Sequence, residues 1–292
     1  MNGSMFKSLS LAVLAAVLIQ GTPAAWAQES TMEPPVEEEV MPMIDPEVLA
    51  NSYLQDNNGN EVLDIVAFGD SITRGVGDFI SPDSFVEETQ RNVSGEAGYP
   101  LRIETLLNVS VSNSGEPGEE LVGRGVHRFA ATIPALHPDV VIISEGANDA
   151  IFLESSVAVF RGTQTMVNIA YAIGAQPVLA TIPPSCCDRA GRNQFVDSYN
   201  REFHSLAAAN GLPLADVNKA FKNICGGTNC YLLNRPEGLH PNIEGYDVIG
   251  ENVIATLLKI NLFAPDGPQA LEAALNLPEG SVVTVPDPEP VQ

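Results

Sequence analysis

The chain has 292 residues, 45% of them hydrophobic and 17% charged, which suits one buried core with extensions and excludes a disordered or fibrous chain. Its formal net charge of −23, from 37 acidic against 14 basic side chains, repels nucleic acid and anionic membrane faces. No internal repeat of about 20–50 residues is apparent, which excludes a solenoid.

The N-terminus reads as a processing segment. Lys7 is the only charge before Glu29, and residues 9–19 form an apolar run too short to span a bilayer. Ala25-Trp26-Ala27 follows with the small-x-small pattern that signal peptidase reads. Residues 1–27 are therefore expected to be a signal peptide cleaved after Ala27. No second apolar run of about 18 residues occurs, so no stable membrane span is expected and the mature chain should be secreted. Residues 28–58 read as an acidic, Pro-rich linker; the stretch 28–50 carries seven acids and no base.

Between residues 59 and 262 apolar runs alternate with segments of helical spacing. The runs are 62–68 (VLDIVAF), 109–113, 140–144 (VVIIS), 177–182 (PVLATI) and, weakest, 212–217. Runs this apolar suit strands covered on both faces, as in a parallel sheet. Helical spacing occupies about 99–107, 120–135, 156–174, 193–210 and 242–260. The alternation predicts an α/β sandwich with right-handed crossovers, whose active site lies beyond the carboxyl ends of the strands. Residues 263–292 read as an acidic C-terminal tail with five acids between 264 and 292, and Pro268 to Leu277 as one short helix within it.

The residues that follow each strand carry the chemistry. After the first comes Gly69-Asp70-Ser71-Ile72, a serine at a strand-to-helix corner, where helix N–H groups favour developing negative charge. After the second comes Asn113-Ser114-Gly115-Glu116-Pro117-Gly118, in which a glycine can offer an unobstructed N–H. After the third comes Gly146-Ala147-Asn148-Asp149, whose Asn148 amide can reach an oxyanion. Before the last helical segment comes Glu237-Gly238-Leu239-His240, a base with a carboxylate three residues earlier to orient its ring. Each motif alone also fits an ordinary cap or turn. Together they supply the nucleophile, base and oxyanion donors of acyl transfer at one sheet edge. Asp70 and Asp149 read as turn-stabilising groups and Arg74 as half of a surface ion pair. His127, His137 and His204 lack any partner motif. A P-loop is excluded, because Gly75-Val76-Gly77 has no following Gly-Lys-Ser/Thr.

The four blocks, in this order across residues 62–260, resemble those of the SGNH (GDSL-type) hydrolases. The resemblance implies a three-layer, flavodoxin-like α/β/α sandwich around a five-stranded, mostly parallel sheet. It implies a secreted serine esterase acting on a small-molecule carboxylic ester, whether lipid, acyl or acetylated carbohydrate, with no cofactor. It gives Ser71 the role of nucleophile and His240 that of base. The oxyanion hole falls to Ser71, Gly118 and Asn148, with Gly115, the other glycine of the block, as the alternative to Gly118. Glu237 stands where the family has Asp, so the site is either a triad or a Ser71–His240 dyad. A noncatalytic binding domain on the same scaffold is the alternative reading. The absence of a long apolar lid segment favours small, soluble or acetylated substrates.

Four cysteines in an exported chain suggest two disulfides, with three possible connectivities among Cys186, Cys187, Cys225 and Cys230. Cys225 can pair with Cys230, or the 186–187 loop can be tied to the 225–230 loop. A zinc site does not fit vicinal cysteines, and the four histidines are scattered, so no metal is expected.

Overall fold

A β-branched run flanked by glycine begins the sheet: β1 (Asp64–Gly69) is buried along five of its six residues. β2 (Ser110–Gly115), β3 (Val140–Ser144), β4 (Gln176–Ala180) and β5 (Leu214–Ala215) complete it in the order β2-β1-β3-β4-β5, all neighbours parallel. The computed structural model describes residues 44–78, 97–226 and 229–287, all in a unit that spans residues 41–292. The expected signal peptide and residues 28–43 of the linker lie outside the described residues.

The helices run between the strands. They are α1 (Pro46–Asn51), α2 (Ser71–Arg74), α3 (Tyr99–Leu107), α4 (Val126–Leu136), α5 (Ala147–Phe152) and α6 (Ser156–Ala172). α7 (Asn193–Asn210), α8 (Val217–Cys225), α9 (Ile243–Leu257) and α10 (Gly267–Ala274) follow. α3 and α8 pack on α9, while α4 and α7 pack on α6. The sheet between these two groups holds the core, with Phe68, Ile65, Ile142, Phe129, Tyr99 and Tyr246 fully buried. The expected three-layer α/β/α sandwich is thus observed. None of the described helices is long and apolar enough to cross a membrane.

The strand order places the site. The chain leaves β1 toward β2, then returns across β1 to lay down β3. Crossovers in opposite directions open a crevice at the carboxyl ends of β1 and β3. Register brings Gly69 opposite Gly115 on one side and Ser144 on the other, so the chain leaves all three strands at one level.

Four expectations need correction. Residues 44–58 are not a spacer: Leu54 is buried, Tyr53 donates its N–H to Leu257 O at 2.8 Å, and the buried Asp139 carboxylate accepts the N–H groups of Asn57 and Asn58 at 2.6 and 2.8 Å. An acidic composition hid a segment that docks through its backbone. The tail docks too. Glu251 on α9 accepts the N–H groups of Val283 and Thr284 at 2.7 and 2.8 Å, and Lys219 pairs with Asp287 at 2.6 Å. The fifth strand is only two residues, because Val217 already begins α8. The structure has one disulfide among its described residues, Cys225–Cys230, not two. Cys186 and Cys187 are free thiols, since the two sulfurs of the 225–230 loop are bonded to each other.

Candidate active site

Ser71 is the first residue of α2, immediately beyond β1. Asp70 caps that helix, its carboxylate accepting the Ile72 N–H at 2.8 Å. Gly69 is required here by close approach: a Cβ would meet Thr73 Oγ1 at 2.0 Å and the Ser144 carbonyl at 2.2 Å. The absent side chain lets β1 and β3 converge under the serine.

His240 arrives from the far end of the chain on a braced loop. Leu233 and Pro241 form an antiparallel bridge, Asn234 N–H donates to His240 O at 2.9 Å, and the Asn234 amide donates to the carbonyls of Gly77 and Pro241, each at 2.9 Å. Cys186 N–H donates to Gly238 O at 2.8 Å from the loop after β4. So held, His240 Nε2 stands 2.8 Å from Ser71 Oγ, across 169 positions of sequence. Glu237 Oε1 lies 2.9 Å from the other ring nitrogen, Nδ1, a close polar contact without the alignment of a full hydrogen bond. Its Oε2 accepts the N–H groups of Leu239 and His240, both at 3.1 Å. Burial by itself would raise the Glu237 carboxyl, but the facing imidazole and these two N–H donors hold it below the usual carboxylate range. The longer side chain therefore still reaches the ring.

Gly118 and Gly115 separate by where their N–H groups go. Gly115 donates to Asn113 Oδ1 at 3.0 Å, and a Cβ there would meet Arg74 N at 2.3 Å, so this glycine serves packing. Gly118, at φ +74°, faces open space and gives its N–H to no group among the described residues. The loop that bears it is tied to the end of β1, with Glu116 N–H donating to Gly69 O at 2.9 Å. Asn148 lies in the first turn of α5, beyond β3, and its Nδ2 donates to Glu119 O at 2.8 Å. That bond uses one of two amide hydrogens and fixes the plane of the other.

A profile of the GDSL-like lipase/acylhydrolase family matches residues 67–248, well over half of the chain. The chain belongs to this family. It is accordingly a serine hydrolase acting on ester substrates. Among solved structures, a lipolytic protein of the G-D-S-L family from Desulfitobacterium hafniense DCB-2 is similar at TM-score 0.53 and 22% identity, covering 66% of this chain and 99% of that one. The lipase/acylhydrolase from Enterococcus faecalis is similar at TM-score 0.54 and 25% identity, covering 68% and 96%. Axe2, an acetylxylan esterase from Geobacillus stearothermophilus, is similar at TM-score 0.55 and 17% identity, covering 67% and 94%. These likenesses speak for the fold. No curated protein matches the chain.

Beneath the cleft of this GDSL hydrolase lies a charged cluster that sequence reasoning missed. Arg128 on α4 donates through Nε to Glu119 Oε2 at 2.8 Å, through Nη1 to Ser114 O at 3.0 Å, and through Nη2 to Gly69 O at 3.0 Å. Its guanidinium also stacks 3.8 Å above the Phe68 ring. One side chain thus joins the carboxyl ends of β1 and β2 to the residue after Gly118. Asp149 accepts the Leu121 and Val122 N–H groups at 2.7 and 3.0 Å and so caps the π-helical turn Leu121–Gly125. Burial raises the Asp149 carboxyl, and it pushes Asp70 up to about 7 despite the Ile72 N–H and the His240 ring. The turn-stabilising roles expected of Asp70 and Asp149 match these bonds. Arg74 forms no ion pair among the described residues, contrary to expectation. His127, His137 and His204 are exposed and stand apart from the site.

Proposed function

We propose that this chain is an exported carboxylic-ester hydrolase in which Ser71 is the nucleophile, His240 the general base, Glu237 the group that orients His240, and Ser71, Gly118 and Asn148 the oxyanion donors. The observation that carries the reading is the 2.8 Å contact between Ser71 Oγ and His240 Nε2 at the crevice where the strand order reverses. Export follows from the N-terminal pattern, with residues 1–27 removed after Ala27. The catalytic domain, residues 59–262, is extended by the docked segments on either side of it.

His240 Nε2 takes the hydroxyl proton as Ser71 Oγ bonds to the ester carbonyl carbon. The carbonyl oxygen becomes an oxyanion and receives the N–H groups of Ser71 and Gly118 and the free amide hydrogen of Asn148. Collapse of the tetrahedral intermediate breaks the carbon–oxygen bond to the alcohol, which leaves with the proton from His240. Water, deprotonated by the same ring, then cleaves the acyl-enzyme and returns the proton to Ser71. The Glu237 carboxylate balances the imidazolium that forms twice in each cycle.

Hydrolysis of p-nitrophenyl acetate and labelling by a fluorophosphonate test the reading together. The wild type should hydrolyse the ester and take one label; Ser71→Ala should lose both. A Ser71→Ala protein that still labels would overturn the assignment. Acyl chains of graded length and acetylated sugars then define the ester class.

A further inference from the structure

Glu145 is the residue after β3, and its side chain is sealed from solvent. Neither carboxyl oxygen has a hydrogen-bond partner among the described residues. Charged and titratable groups face it from every surrounding element: Asp70 beyond β1, Tyr99 on α3, Glu119 after β2, Arg128 on α4 and Asp149 on α5. His240 faces Asp70 in turn. The other three carboxylates have donors that favour their ionised form. Asp70 has the Ile72 N–H, Asp149 has two backbone N–H groups, and Glu119 has the Arg128 guanidinium. Glu145 has only the outer side of that guanidinium, with Oε1 3.9 Å from Nη2. Four carboxyls cannot all ionise around one half-buried cation, and the one without donors keeps its proton.

Arg128 is committed elsewhere. It holds Glu119, and the Glu119 carbonyl fixes the Asn148 amide at 2.8 Å. Gly118 is the residue before Glu119. An ionised Glu145 would become a second anion competing for the same guanidinium.

We propose that Glu145 is a positioning residue: as a neutral acid it leaves Arg128 on Glu119, and when it ionises it draws Arg128 away and loosens the Gly118–Asn148 pair, ending activity on the alkaline side. Burial first, and then the facing Asp70, Glu119 and Asp149, hold its carboxyl well above the usual range. The inference rests on Gly118 and Asn148 as oxyanion donors.

The test compares wild type, Glu145→Gln and Glu145→Leu. It measures kcat/KM for p-nitrophenyl acetate, corrected for spontaneous hydrolysis, from about pH 5 to about pH 10, together with melting temperature over the same range. The wild type should lose activity at the alkaline end. In both variants that loss should move up by about one pH unit or more, or vanish, while the acid limb stays in place. The melting temperature of Glu145→Gln should exceed wild type at alkaline pH, because the variant has no carboxyl to ionise. A wild type without an alkaline limb, or an alkaline limb unchanged in both variants, overturns the proposal even where the melting temperature rises. Failure of the underlying site reading shows separately, as an Asn148→Ala enzyme with undiminished turnover.

Discussion

Asn148 spends one amide hydrogen on Glu119 O, and the other is the one proposed to meet the oxyanion. Asn148→Ala should therefore lower kcat by roughly 10²–10³-fold, the usual cost of one oxyanion donor, with KM little changed. A loss below about threefold removes it from the oxyanion hole. Glu237 calls for a different substitution, because its Oε2 also holds two loop N–H groups. Glu237→Gln keeps an acceptor for those bonds and removes only the charge beside His240. Its side chain is 34% exposed, so the expected loss in kcat is roughly 10–100-fold, less than the ~10⁴-fold cost at a fully buried triad carboxylate. Near-wild-type turnover would favour the dyad. Ser71, Asn148 and His240 stand out in the sequence as candidates because each lies at a strand end or just before a helix, and the structure puts Ser71 and His240 within 2.8 Å of each other. Gly118 is preferred over Gly115 in the sequence, and the two separate in the structure by their N–H groups, since Gly115 donates to Asn113 Oδ1. Arg128, Glu119 and Glu145 carry no motif; they come together only where the Arg128 guanidinium reaches Gly69 O, Ser114 O and Glu119. The one available signal was Glu145 itself, a charge directly after the five-residue run buried throughout in β3.

At the scale of elements, the alternation of strand and helix fixed the order of layers. β3, α3 and α7 match the expected ranges, because an apolar strand or an amphipathic helix of that length has one way to bury itself. Among the misses, α5 has six residues and α1 another six, too few for a periodic pattern to register, and the nine-residue α8 follows directly on the weakest apolar run. The Leu121–Gly125 turn adds a π-helical start to α4 because Asp149 takes the N–H groups of Leu121 and Val122. Convergence of β1 on β3 has a measurable consequence. In Gly69→Ala the new methyl would lie 2.2 Å from the Ser144 carbonyl, so the strands must separate under Ser71. Urea unfolding should show a loss of about 1–3 kcal/mol, with turnover falling further than stability alone explains. Unchanged stability would mean that β1 and β3 are less tightly joined than the register implies. The docked tail makes a second, independent claim. Thr284 Oγ1 donates to Glu251 Oε2 at 2.6 Å and accepts from Asn252 Nδ2 at 3.1 Å, both in buried surroundings. Thr284→Val keeps the shape and removes both bonds, so it should cost about 1–3 kcal/mol, with the Ser71–His240 chemistry left intact.

For the whole molecule, the same carboxyls that serve the site set how stability depends on pH. Burial raises Asp70 to about 7 and moves Glu145, Asp149 and Glu251 upward from their ordinary values. A carboxyl raised in the folded state binds more protons there than in the unfolded chain. Stability is then greatest below the unfolded pKa and falls as pH climbs toward the folded one. For Asp70 that interval runs from 3.8 to about 7. Glu237 and Asp287 shift downward and oppose this, but they are partly or largely exposed and solvent screens them. Self-repulsion from a net charge of −23 grows in the same direction as carboxylates ionise. Melting temperature should therefore decline from about pH 5 to about pH 8. Under the proposed mechanism the imidazole must be neutral, because a protonated ring accepts no proton from Ser71. Salt separates the two contributions. Raising ionic strength to about 0.5 M screens surface repulsion and should lift the melting temperature more at pH 8 than at pH 5. The buried carboxyls are not screened, so part of the decline should survive; its complete removal by salt would assign the whole effect to surface charge.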